Sequence, residues 1–323
     1  MGYKILADNN QVVFFYESGT YGSASGNRTW IGLVQTHDAT ESIESVPIRY
    51  QGSNTRNVDL FAFGKKSYKG KIEYYPQDFR MLAFALGSNC DGTGSGHFIT
   101  ETNSDNSNYA IPAQSLSSFT LEDTKKTPTT GSNFNRTYKG CLIDTFELSI
   151  SEGEVVKCNV DYIAQDMTFS SGAITSGLTS NTQPYMWSNA LFSIPSGTSY
   201  TNSTEVTFTV KNNLDEHFPL NGSRVIDFAL PLNRDYEIKT KLILDSANAK
   251  TLYDTYYIGG GSFNSFLSLV GEPGSCYISF SGCKITDMSI PSPVEGIHEE
   301  EITITPLKAS AIIYDGISKY NGW

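Results

Sequence analysis

Apolar and polar residues alternate one by one over much of this chain. Val156, Cys158, Val160 and Tyr162 share one face of an extended segment, and Lys157, Asn159 and Asp161 share the other. Successive side chains of a strand point to opposite faces, so the pattern predicts a half-buried strand. Phe146, Leu148 and Ile150 alternate in the same way with Glu147, Ser149 and Ser151, Val206, Phe208 and Val210 with Thr207 and Thr209, and Ile302 and Ile304 with Glu301, Thr303 and Thr305. One apolar and one polar face is the mark of antiparallel sheets packed on one side and wet, or covered by a partner, on the other. Two short stretches change period. Phe79, Leu82, Ala83 and Leu86 stand at i, i+3, i+4 and i+7 between Pro76 and Gly87. Ala249, Leu252, Tyr253 and Tyr256 repeat that phase between a possible cap at Asp245 and Ser246 and a stop at Gly259. Each predicts a short amphipathic helix.

The order of these elements occurs twice. Tyr138-Lys139-Gly140-Cys141-Leu142-Ile143-Asp144 returns as Phe280-Ser281-Gly282-Cys283-Lys284-Ile285-Thr286, 142 positions later. Tyr68-Lys69-Gly70-Lys71-Ile72 is answered by Tyr236-Glu237-Ile238-Lys239-Thr240, and each precedes one of the two helices. After each helix comes a Phe-containing strand, around Phe119 and Leu121 or around Phe266 and Leu269, and then the Gly-Cys segment. The expected organisation is a first domain over 1–169 with a leading segment of about 45 residues, a Gly/Ser/Thr-rich linker over 170–183, and a second domain over 184–323. A length of 323 residues is ample for two cores. The first copy is longer, with 72 residues from Tyr68 to Gly140 against 46 from Tyr236 to Gly282. Its additions, Ser88 to Asn108 and Lys125 to Arg136, are polar and read as surface loops.

Composition narrows the class. Nineteen Tyr and 18 Phe in a chain rich in Ser, Thr, Asn and Gly suit short strands joined by turns, so the class is mainly β. A net charge of −11 argues against a surface that grips nucleic acid through its phosphates. No apolar run approaches the roughly 20 residues that cross a bilayer, and Met1-Gly2-Tyr3-Lys4 does not begin a secretory leader. The expectation is a soluble product made in a cytoplasm. Five cysteines without CxxC spacing read as reduced, buried small side chains.

Candidate chemistry is sparse. His37, His97, His217 and His298 are not at metal-ligand spacing and read as surface or turn residues. The run His298-Glu299-Glu300-Glu301 leads into a strand, which sends successive carboxylates to opposite faces. Asp91 to Gly96 resembles a phosphate loop but follows a helix instead of feeding one. Gly259 to Gly261 reads as a helix stop. No nucleophile elbow or Cys-His motif occurs. No catalytic residue, cofactor or metal is expected, and the reading is non-enzymatic.

In the order in which they occur, several phrases resemble the tail tube proteins of long-tailed phages and archaeal viruses, in the branch with a duplicated tube domain. They are Glu17-Ser18-Gly19-Thr20-Tyr21-Gly22 leading to Trp30 and Gly32, Tyr68 to Glu73, Ala85-Leu86-Gly87, Ser117 to Glu122, Tyr138 to Cys141 running into Glu147 to Ile150 and the strand ending at Asp161, Asn221 to Arg224, and Ala311 to Asp315. The resemblance implies two tandem domains, each of two packed antiparallel sheets with a flanking short helix, that give strands to a β-barrel shared between subunits. It implies a structural virion protein whose rings, of six domains each, stack into the conduit for genome ejection. With two domains per chain, three chains would suffice for a ring. The implied partners are copies of the chain itself and other tail proteins such as tape measure and terminators, with DNA only as passing cargo and no membrane. Tyr68, Gly70, Tyr138, Gly140, Cys141, Tyr236, Gly282, Cys283 and Asp315 are expected to serve structure or assembly. A different class remains open on the residues alone: a two-domain β-sandwich adhesin or carbohydrate-binding protein with aromatic-rich loops.

Overall fold

A computed structural model describes residues 10–17, 21–51, 57–87, 96–99, 116–126, 133–171, 182–196, 202–244, 246–290 and 298–317. The first half contains β1 (Asn10–Glu17), β2 (Ala24–Trp30), β3 (Leu33–Ile48), β4 (Leu60–Tyr75), α1 (Arg80–Leu86), β5 (Gly96–Ile99), β6 (Phe119–Lys125), β7 (Phe134–Ser151), β8 (Lys157–Ala164) and β9 (Asp166–Ser170). The second half contains β10 (Ala190–Ser193), β11 (Ser203–Lys211), β12 (Leu214–His217), β13 (Phe228–Pro231), β14 (Asp235–Ile243), α2 (Ser246–Thr251), β15 (Phe263–Gly271), β16 (Gly274–Ser289), β17 (Glu299–Thr305) and β18 (Lys308–Tyr314). The protein is mainly β, and among the described residues every strand pairing is antiparallel.

Eight strands form one long sheet in the order β3-β4-β8-β7-β11-β14-β17-β16. The sequence of roles β3-β4-β8-β7 in the first half is the sequence β11-β14-β17-β16 in the second. Seven consecutive pairs join the halves, from Thr145 opposite Lys211 to Ser151 opposite Glu205. The N-terminal parts of β7 and β16 leave the long sheet and enter two smaller ones. One runs β2-β1-β6-β7-β9 and the other β10-β15-β16-β18-β5. Apart from β2 and β5 these small sheets also have the same order. The alternation read in the sequence fits the layering: Phe146, Leu148, Val160, Phe208, Ile302 and Ile304 of the long sheet turn inward and are buried. The main apolar cluster is continuous through both halves, for example where the Phe79 and Tyr185 rings lie 5.3 Å apart.

Several local expectations need correction. β1 and β3 occupy places matched by β10 and β11, so the leading segment belongs to the repeated pattern. Phe119 lies opposite Cys141 and Phe263 opposite Cys283, so Phe119 corresponds to Phe263, not Phe266. α1 is not amphipathic in place: Met81 to Leu86 are all buried, because the helix lies within the core with Phe14, Phe119 and Tyr185. Gly87 does end it, in a left-handed conformation. After α2 the chain widens into a π-helical turn over Leu252–Ile258, where the Gly259 N–H donates to the Asp254 carbonyl at 3.0 Å. A π turn holds more residues than an α turn and rotates the apolar phase. Leu252 therefore stays buried while Tyr253 is exposed. The proposed cap at Asp245, the side chain of Ser246, and most of the linker lie outside the described residues, as do most of both long loops. The described part of the first loop is β5, which is not a surface excursion. It pairs with β18 of the second half from Ile99 opposite Ala311 to Gly96 opposite Tyr314, and His97 and Ile99 are buried.

Candidate assembly surface

The Gly-Cys segments are the places where β7 and β16 bend from one sheet into another. Gly140 and Gly282 have φ of 61° and 63°, which a glycine reaches without strain. Both follow the same plan. The Gln165 N–H donates to the Lys139 carbonyl at 2.8 Å, and the Leu307 N–H to the Ser281 carbonyl at 3.0 Å. Pairing slips by one residue on either side of each glycine, between Phe119 and Leu121 and between Ile143 and Thr145 in one copy, and between Phe263 and Ser265 and between Ile285 and Asp287 in the other. Such bulges add twist and let one strand serve two sheets. Cys141 and Cys283 are buried next to them as free thiols. Burial pushes both thiols up, Cys283 to about 11. Cys158 and Cys276 are also free and buried.

The other expected positions are spread along the strands. Tyr68 and Tyr236 are buried at matching places in β4 and β14, and Tyr236 stacks on Phe208 with ring centroids 6.4 Å apart. Gly70 has no room for a side chain, because the Tyr162 ring sits against it. The Tyr138 hydroxyl donates to Glu41 at 3.1 Å. Asp315 follows β18 and faces the buried His97, with the carboxylate 3.6 Å from Nε2. These positions do not converge on one site; they hold sheet corners and layers.

Some organising polar residues give no sign in the sequence. Glu17 is buried and accepts four hydrogen bonds, from the Ser118 and Thr120 hydroxyls at 2.5 Å each, the Gly140 N–H at 2.8 Å and the Gly22 N–H at 2.9 Å. At the second corner the Gly282 N–H donates instead to Asn264 Oδ1 at 3.2 Å. Asn212 locks the junction of the halves: its amide donates to the Ala85 and Ile143 carbonyls at 3.0 and 2.9 Å, and its N–H to the Asp144 carbonyl at 2.7 Å. The side chains of His37 and His97 are buried, contrary to the surface reading. His37 lies 2.9 Å from the Tyr162 hydroxyl and 3.3 Å from Asp123, which Arg136 also contacts at 2.6 Å. Burial alone would raise the Asp123 carboxyl, but hydrogen bonds and charge from His37 and Arg136 outweigh it and hold it low. Only the partner chemistry, contributed from distant strands, explains such positions. Among the described residues no group of three or more His, Cys, Asp or Glu could hold a metal ion.

The outer face of the long sheet is polar. Its second-half part forms a shallow trough of about 450 Å³ lined by Glu147, Glu205, Glu237, Asp287 and Glu301, together with Lys211, Lys239 and Lys241 and several threonines. Two of the three lysines stand beside carboxylates: Lys241 lies 2.9 Å from Glu205 and 3.8 Å from Glu301, and Lys239 3.0 Å from Glu237. In the first half Lys157 meets Glu154 at 2.8 Å, and Lys69 meets Glu216 at 3.7 Å.

The ends of this sheet differ from its middle. Among the described residues β3 pairs only with β4, and the stretch Lys284–Ser289 of β16 only with β17. Each leaves a row of backbone groups without a neighbouring strand, the kind of edge that recruits another chain. The distal part of the β3–β4 hairpin carries exposed apolar side chains, among them Ile43, Val46, Leu60, Phe61 and Phe63. Patches of this kind mark interaction surfaces.

Comparison with known proteins agrees in class. A family model described as phage tail tube protein matches residues 9–306. No curated protein matches the chain. Among solved structures, the SPP1 tail tube determined by solid-state NMR and cryo EM is 12% identical, covering 54% of this chain and 82% of that chain with a TM-score of 0.36.

Proposed function

Since the chain belongs to the phage tail tube protein family it is a structural subunit of a tail tube, and we propose that each of its halves fills one of six positions in a ring closed by three chains. The observation that carries this reading is the long sheet. Four strands in one order are followed by four in the same order, and the halves are already joined edge to edge. Three copies of an eight-stranded sheet, three times eight, would give a barrel of 24 strands, and closure would remove the free edges of β3 and β16. The halves would be tandem tube domains over about 1–169 and 184–323. Their polar outer face lines the bore, and the small sheets form the outer layer.

A bore of carboxylates and hydroxyls, in which Lys239 and Lys241 already meet carboxylates, offers DNA phosphates few places to stick. This suits a conduit for genome ejection, with rings stacking into a virion tail assembled in the host cytoplasm and meeting tape measure and terminator proteins at its ends. The adhesin alternative gains no support from the family. Cryo-electron microscopy of assembled tubes tests the reading: three chains per ring with both halves in the barrel is the expected result. Six chains per ring with the second half outside the barrel would overturn it.

A further inference from the structure

The junction inside the chain is a template for a junction between chains. Pairs across β3 and β4 match those across β11 and β14 one for one: Glu41 lies opposite Tyr68 as Val210 lies opposite Tyr236, and His37 opposite Ile72 as Val206 opposite Thr240. Both ladders slip at the next step, between Val34 and Thr36 and between Ser203 and Glu205. β3 is thus β11 shifted by 169 positions, and β16 is β7 shifted by 142. The free edges of β16 and β3 are therefore the equivalents of β7 and β11, which are paired.

Resting on the ring reading above, we propose that β16 of one chain pairs antiparallel with β3 of the next in the register of β7 and β11, and that the β3–β4 hairpin tip then covers the exposed corner at Leu307. Thr145 faces Lys211 and Phe146 faces Val210 within the chain. The shifts place Asp287 opposite Ser42, Met288 opposite Glu41 and Ser289 opposite Thr40. Faces agree over these three pairs: Asp287 and Ser289 belong to the polar trough, opposite the exposed Ser42 and Thr40, while Met288 packs on the core and the Glu41 carboxylate, though exposed, reaches back to the buried Tyr138 hydroxyl.

The tip follows by the same equivalence. Beyond β11 the chain forms the β12–β13 hairpin, which packs on Leu142 and Ile163 beside the first corner, where the Gln165 amide donates to the Asp227 carbonyl at 2.9 Å. The position of Gln165 is taken at the second corner by Leu307, 75% exposed and pressed against Gly282. Nothing within the described residues plays the part of β12–β13 there. The chain beyond Ser42 begins with the exposed Ile43 and Val46, which would run past Thr286 toward that leucine. The occupant of the apolar corner is a second copy of this chain.

The test uses the full chain with Cys90→Ser, leaving four described native thiols buried. Asp287→Cys with Ser42→Cys is compared with Asp287→Cys with Thr40→Cys after mild oxidation of tubes verified by negative-stain imaging. A two-residue slip moves the partner by about 7 Å, beyond disulfide reach. The in-register pair is expected to give covalent dimers and trimers on a non-reducing gel, and the shifted pair none. Leu307→Asp, at an exposed position, is expected to leave a folded monomer by circular dichroism that has lost tube formation. Tubes that form but cross-link only through the shifted pair, or through neither, overturn the register and leave the ring intact. Tubes formed normally by Leu307→Asp overturn the tip contact. Failure of the parent chain to form rings at all refutes the ring reading and this proposal with it.

Discussion

Glu17 holds the first sheet corner by accepting from two hydroxyls and two backbone N–H groups. A glutamine there would turn its NH₂ toward one hydroxyl, which can reverse and accept, and one backbone N–H, which would be left without an acceptor. Glu17→Gln is therefore expected to destabilise the monomer by roughly 2–3 kcal/mol in urea unfolding, with no effect on the second corner. Glu300 shows the opposite imbalance. It lies buried at the end of β17 with Oε2 unpartnered, and burial raises its carboxyl above the ordinary 4.5. The folded state binds this proton more tightly than the unfolded state. Its contribution is fully present below about pH 4.5 and is lost as pH rises through the raised value. Glu300→Gln should stabilise the monomer by about 1–2 kcal/mol at pH 7, a gain that shrinks as urea unfolding is repeated at lower pH.

At the scale of elements, the two corners share a backbone but differ in what surrounds them. A Cβ on Gly140 would lie 2.8 Å from Gln165 Cβ and 2.9 Å from the Tyr21 ring, whereas one on Gly282 would meet the end of the Leu307 side chain at 2.7 Å, which can move. Both substitutions force alanine to positive φ, so each should cost about 1 kcal/mol or more, and Gly140→Ala should cost at least 1 kcal/mol more than Gly282→Ala. Thermal unfolding of the two variants side by side checks the order. These corners were legible because a glycine, a buried cysteine and an aromatic residue recur at one spacing, and the strands were legible because one face stays apolar. β5 was not: Gly96-His97-Phe98-Ile99 is too short to show a period, and its partner lies more than 200 positions away. Nor was the π turn, since an apolar face drawn at 3.6 residues per turn cannot reveal where the winding changes. His37 and His97 escaped for a third reason, because burial of a histidine depends on carboxylates brought by other strands.

For the whole molecule, the lysines of the long sheet matter through the carboxylates beside them. Releasing Lys241 by Glu205→Gln with Glu301→Gln removes its two ion-pair partners. Tubes of this variant should retain short duplex DNA at low salt and release it as salt rises, while parent tubes retain none; a gel-shift titration at two salt concentrations reads the difference. The strand β5 has a consequence of another kind. It starts from the first half and completes the edge of the second half's small sheet, where His97 Nε2 also meets the Ile317 carbonyl at 2.8 Å. A chain cut between the halves would leave one fragment with an orphaned strand and the other with a bare edge. The loan ties the two halves to one another: a substitution in Gly96–Ile99 of the first half is felt at the edge strand Ala311–Tyr314 of the second.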